Sequence, residues 1–147
     1  MKTILLAEDN PDDVWIMKRA VKAAGLSNPM HLVENGRDAV AYLAGEGPFA
    51  DRSLYPLPSL VLLDVKMPYL NGLEVLKWIR TSSLVPTILT VFLTSSSDMR
   101  DIDEAYRLGA NAYLVKPSEL SKLSEMIKAM EQFLLTHNRL PSLIPPP

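Results

Sequence analysis

Five short apolar runs punctuate the chain at Thr3 to Ala7, Met30 to Val33, Leu60 to Leu63, Ile88 to Leu93 and Ala112 to Val115, with a stretch of helical spacing after each. Unbroken apolar runs this short suit strands buried on both faces, which a parallel sheet covered by helices provides. Parallel neighbours need a crossover, and the crossover is usually a helix. The alternation therefore predicts an α/β domain with a doubly wound parallel sheet and helices on both faces.

The first intervening segment carries the clearest helix signals. Asn10 can cap a helix that has Pro11 at its first position and Asp12 and Asp13 in its first turn; Val14, Met17, Val21 and Ala24 then share a face, and Gly25 stops it. Spacing predicts a second helix over 37–44 with Val40 and Leu43 inward, and a third over 73–80 with Leu76 and Ile79 inward. A fourth starts near Asp98, carries Ile102, Ala105 and Tyr106 on one face and ends at Gly109. The fifth follows Pro117, with Leu120, Leu123, Ile127, Met130 and Leu134 at three- and four-residue spacing, and is expected to be the longest. The connection from Gly45 to Ser59 exceeds the usual length and is expected to be a surface excursion. Residues 1–138 are read as one domain and 139–147 as an extended Pro-rich tail.

Charge and composition exclude several function classes. Fifteen basic and seventeen acidic residues leave a net charge of -2 without a like-charge block, so neither nucleic acid nor a membrane surface is an expected partner. The chain has no cysteine, which removes thiolate metal sites and thiol nucleophiles. The apolar start is interrupted by Glu8 and Asp9 and does not read as a signal peptide; the expected location is the cytoplasm.

Ligands of open parallel sheets bind beyond the carboxyl ends of the strands. There the sequence places Glu8 and Asp9 after the first strand, Asp64 after the third, Thr94 and Ser95 at the fourth, and Lys116 with Pro117 after the fifth. Two carboxylates about 5 Å apart at an effective dielectric near 20 repel by roughly 3 kcal/mol, so such a cluster calls for a cation. An all-oxygen set without histidine or cysteine favours Mg²⁺, which commonly shares its shell with a phosphate. Lys116 adds a second positive charge and Thr94 a hydroxyl donor, together suiting a bound phosphoryl group. Singly, each residue has a plainer reading: Glu8 and Asp9 as a solvated turn, Asp64 as a cap, Thr94 as an ordinary strand residue and Lys116 as a surface lysine. The functional reading rests on their joint occurrence at consecutive strand ends.

The stretches LLAEDNPDD from Leu5, VENGRDAVAYL from Val33, LVLLDVKMP from Leu60, FLTSS from Phe92 and NAYLVKP from Asn111 resemble the response-regulator receiver family, in order and across nearly the whole chain. With its long 45–59 connection and no output module, the chain is similar to the single-domain regulators that serve phytochrome-type histidine kinases. The resemblance implies a CheY-like, flavodoxin-like five-stranded sheet in the order 2-1-3-4-5. It implies that Asp64 is the phosphoacceptor of a two-component phosphorelay, and that Glu8, Asp9, Asp64 and the backbone carbonyl of Lys66 bind Mg²⁺. Thr94 and Tyr113 match the switch pair, Tyr113 turning inward when the hydroxyl moves. Lys116 matches the family's lysine, followed by a cis proline at Pro117, while Lys66 and Ser96 occupy positions that tune the lifetime of the acyl phosphate. Glu8 departs from the commoner aspartate and offers a longer arm.

The implied partners are a sensor histidine kinase of the phytochrome type as donor and a downstream protein or phosphotransfer protein as recipient, reached through the face of the fourth helix, fifth strand and fifth helix. Tyr106 and the apolar fifth helix leave a homodimer through that face open. Such a domain catalyses its own phosphorylation and dephosphorylation and turns over no separate substrate. The alternative is an aspartate-nucleophile Mg²⁺-dependent phosphatase, which usually carries a second Asp two residues beyond the nucleophile, where this chain has Lys66. A flavodoxin-like cofactor binder is disfavoured because no Gly-rich loop follows the first strand.

Overall fold

The structure, a computed structural model, describes residues 1–143. Strands β1 (Ile4–Ala7), β2 (Met30–Val33), β3 (Leu60–Leu63), β4 (Leu89–Thr94) and β5 (Ala112–Val115) form one parallel sheet in the order β2-β1-β3-β4-β5. Helices α1 (Pro11–Ala23), α2 (Gly36–Ala44), α3 (Gly72–Thr81), α4 (Met99–Arg107) and α5 (Leu120–Glu131) make the connections and the C-terminal cover. This is the predicted doubly wound α/β architecture, and each apolar run became a strand to within one residue at either end. No helix among the described residues is long and apolar enough to cross a membrane.

Strand residues alternate between the two faces, so the sheet divides the core. Leu5, Ala7, Val61, Leu63 and Phe92 pack with α2, α3 and α4, whereas Ile4, Leu6, Leu60, Leu62, Val91 and Leu93 pack with α1 and α5. Burial of a leucine or isoleucine side chain contributes about 1.5–3 kcal/mol. With β1 and β3 fully apolar on both sides, a one-residue register slip would still move every side chain into the opposite layer.

The helices refine the predicted faces. In α2 the core positions are Ala39, Tyr42 and Leu43, and Val40 is half-buried against the same layer. In α4 Ala105 is buried but Tyr106 is 52% exposed, so Tyr106 belongs to the surface and not to the packed face. As an α-helix α5 has 12 residues against 13 for α1; a π-helical turn over Gln132–His137 continues it, closed by Asn138 N–H donating to the Phe133 carbonyl at 2.9 Å. Residues 139–143 have no regular structure, although Leu140 and Leu143 pack against the two core layers. The rest of the expected tail, 144–147, lies outside the described residues.

The 45–59 excursion is tied down. Arg52 donates from Nη1 to the Tyr42 and Tyr55 carbonyls at 2.8 and 3.2 Å, and from Nη2 to the Leu43 carbonyl at 2.8 Å. Two of these carbonyls belong to the last turn of α2, where a cation is favoured, and that of Tyr42 also accepts from the Gly45 N–H at 3.1 Å. Tyr42 donates its hydroxyl to the Pro56 carbonyl at 2.9 Å, and its ring sits among those of His31, Phe49 and Tyr55. Arg52→Ala is expected to lower the unfolding free energy by about 2 kcal/mol, because the Leu43 and Tyr55 carbonyls lose the guanidinium donor. In urea denaturation this appears as a lower midpoint at unchanged m-value; an unmoved midpoint would show that the excursion adds nothing to stability.

Candidate functional site

The pairing register sets the strand ends level. Ala7 lies opposite Leu63, and Leu63 opposite Phe92, so Glu8 and Asp64 emerge side by side with Thr94 and, across β5, Lys116 beyond them. Asn10 caps α1 by accepting from Asp12 N–H at 2.9 Å and Asp13 N–H at 3.3 Å, which turns the first turn of α1 back over the same edge. The result is a crevice of about 440 Å³ lined by Glu8, Asp9, Asn10, Asp13, Asp64, Lys66 and the segment from Thr94 to Asp98.

Inside the crevice the side chains form two short linkages. The Thr94 hydroxyl donates to Asp64 Oδ1 at 2.6 Å. Lys116 Nζ donates to Glu8 Oε2 at 2.9 Å and stands 3.7 Å from Asp13 Oδ2, while Asn10 N–H donates to Glu8 Oε1 at 3.1 Å. Glu8 is 2% exposed and the Lys116 side chain 12%, so this ion pair is shielded from water. Burial first, and then the hydrogen-bonding contact with Asp64, push the Glu8 carboxyl up to about 7 against the opposing pull of Lys116.

One carboxyl oxygen from each of Glu8, Asp13 and Asp64 lies within 4.8 Å of the others. At that separation each pair repels by about 3 kcal/mol at an effective dielectric near 20, and one ammonium cannot balance three acids. Hard oxygen donors converging on a shielded, under-neutralised pocket fit a small divalent cation of the Mg²⁺ or Mn²⁺ kind.

Glu8, Asp64, Thr94 and Lys116 thus converge as expected. Asp9 lines the crevice with an exposed side chain, and the third carboxylate of the close group is Asp13. In the sequence Asp13 reads only as a favourable charge in a helix turn; its signal is its place three residues after the Asn10 cap, where the helix faces the strand ends. Lys66 is exposed at the mouth. Tyr113 is inward, its ring 5.6 Å from that of Phe92 and its hydroxyl donating to the Ser96 carbonyl at 2.9 Å, with burial the main cause of its raised pKa. Inward Tyr113 therefore coexists with Thr94 bonded to Asp64. The expected cis bond is corrected: no cis peptide occurs among the described residues, so Lys116–Pro117 is trans. Trans is the lower-energy isomer of an X–Pro bond by about 0.5–1 kcal/mol, and from it the ammonium already reaches Glu8.

The response regulator receiver domain profile matches residues 4–128. The chain belongs to the response regulator receiver-domain family. Response regulator Rcp1 of Synechocystis sp. is 32% identical over 141 residues, covering 96% of this chain and 94% of that protein. The solved structure of the phosphorylated cyanobacterial phytochrome response regulator RcpA superposes with a TM-score of 0.87 at 35% identity, covering 96% of this chain and 99% of that one. Response regulator RPA3017, in red light signalling of R. palustris, gives a TM-score of 0.91 at 34% identity over 97% and 99% of the two chains. The Mn²⁺-bound form of Rcp1 has also been solved and matches with a TM-score of 0.84.

One residue of this receiver site went unread in the sequence. Gly72, at the start of α3, donates its N–H to the Val65 carbonyl at 2.8 Å, and a Cβ there would sit 2.1 Å from the Asp64 carbonyl oxygen and 2.8 Å from Phe92 Cε1. Glycine is needed for close approach of helix and strand end. Gly72→Ala is expected to destabilise the domain by about 1–3 kcal/mol and to shift the amide resonances of Asp64 and Thr94 in NMR spectra. Wild-type stability and an unshifted Asp64 amide would contradict the steric account.

Proposed function

We propose that this receiver domain takes a phosphoryl group onto Asp64 from the phosphohistidine of a phytochrome-type histidine kinase in the cytoplasm, with residues 1–138 as the working unit. The reading is carried by one observation: Asp64 stands at a strand end within 2.6 Å of a buried hydroxyl, with the Asp13 carboxylate and the Lys116-paired Glu8 carboxylate grouped beside it. It is supported by the phosphorylated state named for RcpA and by the red-light and phytochrome associations of the relatives.

In the proposed reaction an Asp64 carboxylate oxygen attacks phosphorus, a P–O bond forms, the P–N bond breaks, and the departing imidazole keeps the electron pair and takes up a proton. Mg²⁺, when bound, offsets charge on the transferring phosphoryl group, and Glu8, Asp9, Asp13, Asp64 and the Lys66 carbonyl are the groups available to hold it. Lys116, now paired to Glu8, is placed to pair with a phosphoryl oxygen instead. Thr94 would redirect its hydroxyl from Asp64 to that oxygen, and the domain would signal through the face of α4, β5 and α5, where Tyr106 is exposed to a downstream protein or a second copy. The chemistry is largely positioning and electrostatics.

Incubation with acetyl phosphate and Mg²⁺ is expected to label the wild type and not Asp64→Asn, and chelation of the metal to stop labelling. Label on Asp64→Asn would remove Asp64 from this role. Lys66→Ala, which clears a long side chain from the crevice mouth, is expected to shorten the acyl-phosphate lifetime several-fold while changing the rate of label formation less. An unchanged decay rate of the purified phosphoprotein would rule that out.

A further inference from the structure

Tyr69 is the one non-glycine residue with positive φ among the described residues, at 67°. Leu70 N–H donates to the Pro68 carbonyl at 2.9 Å, closing a three-residue γ-turn centred on Tyr69. With positive φ at its centre this is the rare, strained form of the turn, and a bulky side chain is a poor choice for it. Glycine would fit without strain. Yet the tyrosine ring is 68% exposed and fills no core position.

A second unfavourable choice stands next to it. Arg37 lies in the first turn of α2, where the helix dipole disfavours a cation, and it too is exposed. Its guanidinium sits 3.9 Å from the centroid of the Tyr69 ring. The two backbones are held close by design of the sequence: Gly36 N–H donates to the Pro68 carbonyl at 3.4 Å, and a Cβ on Gly36 would collide with the Leu70 carbonyl oxygen at 2.0 Å. Two residues that each oppose local stability thus meet in an exposed pair. Local rules are broken in this way mainly at sites of function, and tyrosine and arginine are the side chains that most often anchor protein contacts.

The pair stands at the pole where phosphoryl transfer is proposed. Tyr69 is five positions beyond Asp64 on the loop leaving β3, and Arg37 opens the helix leaving β2. A protein bringing a phosphohistidine to Asp64 meets the carboxyl edge of the sheet to which this rim belongs, and the crevice lining offers no cation outward except Lys66. We propose that Tyr69 and Arg37 form a docking contact for the phosphoryl-donating protein, the ring covering an apolar side chain and the guanidinium pairing with a carboxylate beside the donor histidine. This rests on the phosphoacceptor reading above and adds to it a residue that selects the donor while taking no part in the chemistry.

The test compares a small donor with a protein donor. Tyr69→Gly is expected to keep or raise the denaturation midpoint, to label with acetyl phosphate and Mg²⁺ at the wild-type rate, and to lose roughly tenfold in kcat/KM for transfer from an autophosphorylated phytochrome-type histidine kinase. Arg37→Ala should show the same selective loss, and the wild-type advantage over it should shrink at high salt. Transfer from the kinase at the wild-type rate would overturn the proposal, as would a lowered midpoint with both donors slowed together, which would make the pair structural. Tyr69→Asn, which tolerates positive φ, serves if the glycine variant folds poorly. Failure of acetyl phosphate to label the wild type would strike the phosphoacceptor reading instead.

Discussion

The buried Glu8–Lys116 pair is the constraint around which the carboxyl edge of the sheet is arranged. A carboxylate 2% exposed needs its charge answered locally, and the Lys116 ammonium at 2.9 Å answers it from the end of a strand three positions away in the sheet. Breaking such a pair commonly costs about 3–5 kcal/mol, because the remaining charge stays buried. The pair also fixes what else the crevice can tolerate. With Asp13 and Asp64 within 4.8 Å of Glu8, the single ammonium leaves the pocket short of positive charge, while burial first and the contact with Asp64 second raise the pKa of Glu8. On the proposed function the acids would hold a divalent cation, and an anion beside it would meet Lys116 once that cation had offset the acids.

Holding the acids this close requires that the backbone approach closely as well. Gly72 brings α3 against the Asp64 carbonyl, and Gly36 brings α2 against the β3–α3 loop at Leu70. These two contacts fix the loop that carries Lys66 and Tyr69 relative to both neighbouring elements. The strained turn at Tyr69 can persist because the surroundings over-determine it. Rigidity of the rim and geometry of the crevice therefore have a common origin in two glycines, neither of which lines the pocket.

The strands and helix α1 were legible because their signals are local: unbroken apolar runs for β1 to β5, and Asn10 with Pro11 for the start of α1. The convergence of Glu8, Asp64, Thr94 and Lys116 was legible because parallel topology makes strand ends neighbours whatever the loops do. What stayed hidden depends on orientation in three dimensions. Asp13 joins the carboxylates through the direction in which α1 leaves β1, and Gly72 matters through a carbonyl eight residues earlier in the chain. Tyr42 is buried beside a half-buried Val40, and its hydroxyl finds the Pro56 carbonyl, a partner supplied by the long excursion. Tyr106 reads as amphipathic spacing but faces solvent, and the extra residue in the π-helical turn after Glu131 leaves no mark in hydrophobic period.

Ser96 shows how a change at Asp64 would travel on the proposed function. A hydroxyl has one hydrogen to donate, so Thr94 can serve Asp64 or a phosphoryl oxygen but not both at once. Its oxygen also accepts from Ser96 N–H at 3.4 Å, so redirecting the hydroxyl disturbs Ser96. Ser96 in turn accepts the Tyr113 hydroxyl on its carbonyl at 2.9 Å and donates its own hydroxyl to Asp101 of α4 at 2.7 Å. One residue thus joins the strand-end hydroxyl, the ring stacked on Phe92 and the first turn of α4. A shift of a few tenths of an ångström at Thr94 cannot be absorbed inside the packed core around Phe92, where side chains have little free volume. It must be taken up on the side facing solvent, by the β4–α4 loop and α4, which is the side from which a partner can read it.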